Sequence, residues 1–180
     1  MLLKALAALR QSCDPARDEV FVVDNGSADD SADAVTRAWP EVQLIRNPCN
    51  NGFARANNQA IARARGEFIV LLNNDAFLAA DALERFAAVF RDRPRCAVVA
   101  GQLFDADGRA QRSAGYIPTV LDELGLRALR RRPRAPAIDG LTEVESVVGA
   151  CMAVRAAAIR EAGSLDNDFF FYFEETEWCH

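Results

Sequence analysis

Histidine is nearly absent from this chain of 180 residues, with His180 the only one. Its five cysteines (Cys13, Cys49, Cys96, Cys151 and Cys179) are widely spaced and form no Cys-x-x-Cys pair. Neither a zinc site nor a disulfide framework is therefore indicated, and reduced, packed thiols in a cytoplasmic protein are the simpler reading. No stretch reaches the ~20 apolar residues that a membrane span requires. The opening Met1-Leu2-Leu3-Lys4 is interrupted by charge at Lys4 and Arg10, so an amphipathic helix is expected there instead of a signal peptide. Basic charge is not in excess: 21 Lys and Arg stand against 26 Asp and Glu, which excludes general nucleic-acid binding. The Gly-x-Gly-x-x-Gly and Gly-x-x-x-x-Gly-Lys-Ser/Thr phosphate cradles are missing too, which argues against a dinucleotide dehydrogenase or a P-loop NTPase.

What remains is ordinary globular material, 51% hydrophobic and 26% charged, of a length that suits a single domain over residues 1–180. Its charge is uneven. Arg127, Arg130, Arg131, Arg132 and Arg134 crowd into one loop, whereas from Glu161 onward there are six acids and no Lys or Arg.

The first hundred residues alternate strand and helix patterns. Strands are expected at Val20–Val23, Val42–Ile45, Phe68–Leu72 and Ala97–Ala100, with helices at Ser31–Trp39, Phe53–Arg65 and Asp81–Arg91. Phe68–Leu72 is wholly apolar, as befits a strand buried on both faces. Gly66 is placed to cap the preceding helix. Such alternation implies an α/β fold with a doubly wound, mostly parallel sheet. After Gly101 the rhythm breaks. A hairpin turn is expected at Phe104–Arg109, a last strand at Glu143–Val148 and a helix at Arg155–Ala162.

Two of these strands end in acids and amides: Asp24-Asn25 after the first, Asn73-Asn74-Asp75 after the third. Ligands of open parallel sheets bind beyond the carboxyl ends of the strands, so both groups are expected at one crevice. The competing reading is that they start turns and cap helices. A carboxylate with an amide oxygen beside a diphosphate suits Mg²⁺ or Mn²⁺, which prefer oxygen ligands. Farther on, Phe169-Phe170-Phe171-Tyr172-Phe173 leads into Glu174-Glu175. Aromatics that exclude water raise a carboxylate toward the range of a general base, although glutamates also favour the first turn of a helix.

Taken together, the segments Val22–Ser27, Asn47–Asn58, Ala64–Asp75, Val148–Arg155 and Phe169–Cys179 resemble the family 2 glycosyltransferases of the GT-A fold, particularly the rhamnosyltransferase-like branch. They occur in that family's order and cover nearly the whole chain. The resemblance implies inverting transfer of a sugar from a nucleotide-diphosphate sugar donor to a saccharide or lipid-linked acceptor, in polysaccharide or glycolipid assembly. It divides the chain into a nucleotide-binding half (1–101) and an acceptor-side half (102–180). Asp24, Asn25, Asn58, Asn73 and Asn74 then fall on the nucleotide-sugar site and Asp75 on the metal, with Glu175 as the general base and Glu174 in reserve. Asn73 stands where the family carries an acid, and Glu175 where it carries Asp.

The resemblance also implies an interior strand ahead of the first helix and further chain after the acidic motif. The chain is accordingly expected to be truncated at both ends, or to have the gap filled by another element, such as an oligomeric partner. A catalytically inactive nucleotide-sugar-binding or interaction module is the alternative function. A sugar-1-phosphate nucleotidyltransferase is disfavoured, since no Gly-rich basic loop opens the chain. The arginine loop at Arg127–Arg134 would serve for peripheral contact with an anionic membrane face.

Overall fold

The computed structural model describes residues 1–117, 140–170 and 172–180. The Arg127–Arg134 loop lies outside them. In chain order the elements are α1 (Leu2–Leu9), β1 (Phe21–Asn25), α2 (Ser31–Ala38), β2 (Gln43–Asn47), α3 (Phe53–Ile61), β3 (Phe68–Leu72), α4 (Ala82–Asp92), β4 (Val98–Ala100), β5 (Ala114–Gly115), β6 (Ser146–Val147), β7 (Cys151–Arg155), α5 (Ala156–Ala162) and α6 (Glu174–Trp178). The expected α/β alternation over the first hundred residues is present. The helices are short, and α1 to α4 each turn a small apolar stripe inward, as Val35 does from α2 and Phe86 and Phe90 do from α4.

Strands β1 and β2 pair in parallel, with Val22 opposite Leu44 and Val23 opposite Ile45. Strands β3 and β4 both pair antiparallel with β7, which lies between them. β7 is the centre of the molecule: Cys151, Met152, Ala153 and Val154 are all buried. Its two faces serve two clusters. Met152 and Val154 pack with Ala54, Ile61 and Leu71, while Cys151 and Ala153 pack with Phe86 and Phe90. A third, smaller cluster joins Leu6, Val22 and Val35.

One cation ties the second cluster together. Arg155 donates from Nε to the Cys96 carbonyl at 3.1 Å and from Nη2 to the Phe90 carbonyl at 2.8 Å. Its guanidinium lies over the rings of Phe68 and Phe90, which stack at 4.5 Å. It thereby occupies a carbonyl that the last turn of α4 leaves free and anchors the helix to β7.

Several local expectations need correction. The expected strand at Glu143–Val148 shrinks to two residues, and a five-residue strand that was not expected lies farther on, at Cys151–Arg155. Met, Ala and Arg favour helix in isolation, and burial between two strands overrides that preference. α3 stops at Ile61, so Gly66 is no cap. It instead lies where a Cβ would meet the Phe68 carbonyl at 3.0 Å. Of β3, expected to be buried on both faces, only Leu71 is buried, and the other four residues are half-exposed. The reason is on its open edge: β1 and β3 are not paired with each other. The turn at Phe104–Arg109 forms as expected, with Asp105 N–H donating to the Arg109 carbonyl.

Candidate functional site

The carboxyl ends of β1 and β3 open onto one cavity of about 1470 Å³, and Asp24, Asn25, Asn73 and Asn74 all line it. The sequence expectation was that the two carboxylates Asp24 and Asp75 share this crevice, and of the two only Asp24 lines it, with the amides of Asn73 and Asn74 on the facing strand end. Asp75 is exposed on the turn just after them and is not part of that lining.

The individual residues do different work. Asp24 accepts from the Ser27 N–H at 3.0 Å, which fixes the turn after β1 and leaves its second oxygen toward the cavity side. Asn25 is a structural hub. Its Oδ1 accepts from Asn47 Nδ2 and the Asn51 N–H, each at 3.1 Å, and its Nδ2 donates to Asn50 Oδ1 and the Gly52 carbonyl. These bonds pull the β2–α3 loop against the end of β1. Gly26 makes that approach possible, since a Cβ there would sit 2.7 Å from the Cys49 carbonyl carbon. Asn58 donates to the Leu165 carbonyl at 2.7 Å and to Asn167 Oδ1 at 2.9 Å, and its own Oδ1 is buried without a partner. Asn73 donates its N–H to the Ala150 carbonyl at 3.0 Å.

Through that last bond the acidic tail reaches the site. Gly149 precedes Ala150, and a Cβ at Gly149 would lie 3.4 Å from the Phe53 ring and 3.8 Å from the Cβ of Glu175. Phe53 lines the cavity. A methyl group there would make ordinary van der Waals contact with both, so Gly149 lies directly between the Phe53 ring and Glu175. The tail is also clamped to the start of α3, where Phe53 N–H donates to the Phe170 carbonyl at 3.0 Å, and a Cβ at Gly52 would meet that carbonyl at 2.6 Å.

The elbow before α6 is strained. Tyr172 and Phe173 both take left-handed backbone conformations, at φ 70° and 71°, which side chains beyond glycine rarely adopt. The strain turns Glu174 inward and Glu175 sideways. Glu174 is 3% exposed and its Oε2 has no hydrogen-bond partner. Burial pushes its carboxyl above the usual carboxylate range, and the neighbouring Glu175 charge adds to the rise. Glu175 is half-buried and retains access to solvent. The Asn47–Asn51 cluster around Asn25 and the Gly149 contact were not picked out from sequence as functional positions. The signal for both was the density of Asn and Gly in otherwise apolar surroundings.

Among the described residues no three His, Cys, Asp or Glu side chains gather as a preformed metal cage. Asp75, with amide oxygens at Asn73 and Asn74, is a hard oxygen set short of a full shell. That set fits Mg²⁺ or Mn²⁺, ions that bind through one or two carboxylates and complete their shell with phosphate and water.

The α/β fold brings Asp24, Asn25, Asn73 and Asn74 together at the carboxyl ends of β1 and β3, the position at which open α/β sheets bind their ligands. Comparison with known proteins makes the class specific. The family model described as glycosyl transferase family 2 matches residues 1–162, and the chain belongs to that family. It is 26% identical over 180 residues to the N-acetylglucosaminyl-diphospho-decaprenol L-rhamnosyltransferase of Mycobacterium tuberculosis, an alignment covering 88% of this chain and 58% of that protein. A low-salt glycan biosynthesis hexosyltransferase of Haloferax volcanii is 23% identical over 174 residues, covering 90% of this chain and 52% of its own. The chain thus spans little more than half the length of these curated relatives. Among solved structures, S. aureus TarS 1-349 superposes with a TM-score of 0.72 at 17% identity, covering 99% of this chain and 50% of that one. The mannosyltransferase of Pyrobaculum calidifontis in complex with GDP-Man and Mn²⁺ gives 0.68 at 19% identity, covering 98% and 46%. The fold is that of these glycosyltransferases.

Proposed function

We propose that this chain carries the donor-binding and catalytic core of an inverting glycosyltransferase, moving a sugar from a nucleoside-diphosphate sugar to an acceptor hydroxyl in polysaccharide or glycolipid assembly. The observation that carries the reading is the convergence of Asp24 with Asn73 and Asn74 on one cavity, with Gly149 lying between the cavity-lining Phe53 and Glu175. Two structural neighbours support the donor class, since TarS has been solved with UDP-GlcNAc and the mannosyltransferase with GDP-Man.

The roles follow from position. Asp24 faces the nucleoside, and Asn25 and Asn58 hold the walls of its pocket by the bonds described above. Asn73 and Asn74 meet the ribose and diphosphate, and Asp75 with them would hold Mg²⁺ or Mn²⁺. When bound, such an ion stabilises the charge that develops on the leaving diphosphate. Glu175, open to solvent at the inner end of α6, takes the acceptor's proton. A positioned base of this kind is worth about 10²–10⁴-fold in rate. Glu174 is too deeply enclosed to meet an acceptor, and it serves to seat α6. Attack from the base side and departure from the diphosphate side place the two events on opposite faces of the sugar, which inverts the anomeric carbon.

The half up to residue 101 holds the donor and the half after it receives the acceptor. Among the described residues no helix is long and apolar enough to cross a membrane. A place in the cytoplasm, at the inner face of a membrane when the acceptor is lipid-linked, accords with the lipid-linked substrate in the name of the mycobacterial relative.

The test is release of nucleoside diphosphate from UDP-, GDP- and dTDP-sugars with Mn²⁺ present. Release that disappears in Asp75→Ala and falls at least a hundredfold in Glu175→Gln when an acceptor is supplied supports the reading. Binding without any release in every donor tested would instead favour a nucleotide-sugar-binding module, a reading motivated by the amide of Asn73 where an acid would bring a second charge.

A further inference from the structure

Residues 163–170, which lead from α5 to the elbow before α6, are held against α3 at three points. The Phe53 N–H donates to the Phe170 carbonyl at 3.0 Å, and Arg55 Nε donates to the Asn167 carbonyl at 3.2 Å. Asn58 Nδ2 donates to the Leu165 carbonyl at 2.7 Å and to Asn167 Oδ1 at 2.9 Å. The two partners are met in opposite order, so the segment runs back along the helix as a strap. Its start is tied from the other side, where the Trp178 indole N–H of α6 donates to the Gly163 carbonyl at 2.9 Å. Leu165, 2% exposed, sinks from the strap into the cluster of Ala54, Ile61, Met152 and Val154.

Asn58 stands apart among these anchors. Its resemblance to the family puts it on the nucleotide-sugar site, yet it does not line the cavity, whereas Ala56, Asn57 and Ala60 of the same helix do. Both amide hydrogens of its side chain go to the strap, and its Oδ1 is buried without a partner. A buried oxygen left unpaired is costly, so an amide kept there calls for a reason. Two uncharged donors facing two oxygens are needed, and at this side-chain length only Asn supplies them. The strap runs on into Tyr172 and Phe173, the two left-handed residues before α6. Such backbone persists only where its surroundings over-determine it. Anchors at 165, 167 and 170 do so from the N-terminal side.

We propose that Asn58 is a positioning residue for Glu175. It holds the strap to α3, the strap holds the elbow, and the elbow sets where α6 presents the Glu175 carboxylate. Asn58 thus acts on the base and makes no contact with the donor. The inference rests on the reading of Glu175 as the base, and the first arm of its test is independent of that reading.

That arm is hydrogen exchange by NMR in the unaltered chain, in Asn58→Ala and in Asn167→Ala. The last changes an exposed residue and so opens no core contact. As the first residue of α3, Phe53 has no acceptor within the helix for its amide, and the Phe170 carbonyl of the strap protects it. Asn58→Ala should speed exchange of the Phe53 amide and the Trp178 indole N–H at least tenfold, and Asn167→Ala at least threefold. The Ala62 amide, which donates to the Asn58 carbonyl at the end of α3, should stay within twofold in both. Unchanged exchange at Phe53 and Trp178, or an equal rise at Ala62, overturns the proposal. The second arm is nucleoside diphosphate release from UDP-, GDP- and dTDP-sugars with Mn²⁺, water standing in for the acceptor hydroxyl. Asn58→Ala should lower kcat at least tenfold and leave the donor KM within twofold. In a Glu175→Gln background the same change should cost less than twofold, because the position of the base no longer matters once it is gone. A raised donor KM with kcat unchanged would make Asn58 a donor contact, and losses that multiply would make it independent of Glu175; either result overturns the proposal. If Glu175→Gln itself leaves release unchanged, the assignment of the base fails, and the exchange arm decides whether Asn58 holds α6 in place.

Discussion

β7 and β1 are strands of equal length with quite different surroundings. β7 has a strand on each side and clusters on both faces, and four of its five residues are buried. β1 has one strand partner, and only Val22 of its five residues is buried. The sequences do not account for this. Phe-Val-Val in β1 is more strand-forming than Cys-Met-Ala-Val in β7. What differs is the number of partners each edge meets, since among the described residues no strand pairs with the facing edges of β1 and β3. The site inherits the contrast. Its Asn73–Ala150 side rests on the fully packed sheet, whereas its Asp24 side rests on a strand held mainly by β2 and the Asn25 hub.

Mutations should separate the two regions. Phe90→Ala, at a residue 1% exposed and stacked on Phe68, should cost about 3–5 kcal/mol by urea denaturation, and Met152→Ala about 2–5 kcal/mol. Equal losses from Val23→Ala would erase the contrast. Arg155→Met keeps the apolar stem but loses two charge-assisted bonds to carbonyls, so a drop of about 1.5–3 kcal/mol is expected in the same assay. Arg155→Lys should recover only part of it, because one ammonium cannot reproduce the fork.

A smaller effect, and one that depends on pH, is expected at Glu174. Its carboxyl titrates above the ordinary value of 4.5 in the folded protein because burial disfavours the charge. Above pH 4.5 the folded state therefore holds a proton that the unfolded state has released. Stability should fall as pH rises from there through the raised value, and stay low beyond it. Glu174→Gln should flatten that fall and be the more stable protein at neutral pH, as measured by thermal melts across pH. The least effect belongs to β1: Val23→Ala should change stability by less than about 1 kcal/mol, since its half-exposed side chain has little packing to lose.

Much of this was legible before any coordinates. That the strand ends at Asp24 and at Asn73-Asn74-Asp75 approach each other was legible, because strand ends in wound sheets converge by topology, but the cavity is lined there by Asn73 and Asn74 and not by Asp75. The pairing of Glu174 with Glu175 could be seen in the sequence as well, but not their division of labour. That depends on two left-handed residues, Tyr172 and Phe173, whose side-chain types argue against such a backbone. β7 was missed since its strand character comes from neighbours far away in the chain, at Phe68–Leu72 and Val98–Ala100. Asn25 is read from its motif as a nucleotide-sugar contact, and its side chain also closes the β2–α3 loop through four hydrogen bonds, which no local pattern encodes.

The central claim is that a nucleoside diphosphate binds where Asp24, Asn73 and Asn74 meet, with Asp75 at its phosphates. Calorimetric titration of the chain with UDP, GDP and dTDP, with and without Mn²⁺, tests it most directly. At least one of the three should bind, at least tenfold more tightly with Mn²⁺ than without, and Asp75→Ala should abolish the Mn²⁺ enhancement while leaving the thermal melt unchanged. Absence of binding by all three, or an enhancement that survives Asp75→Ala, would contradict the account.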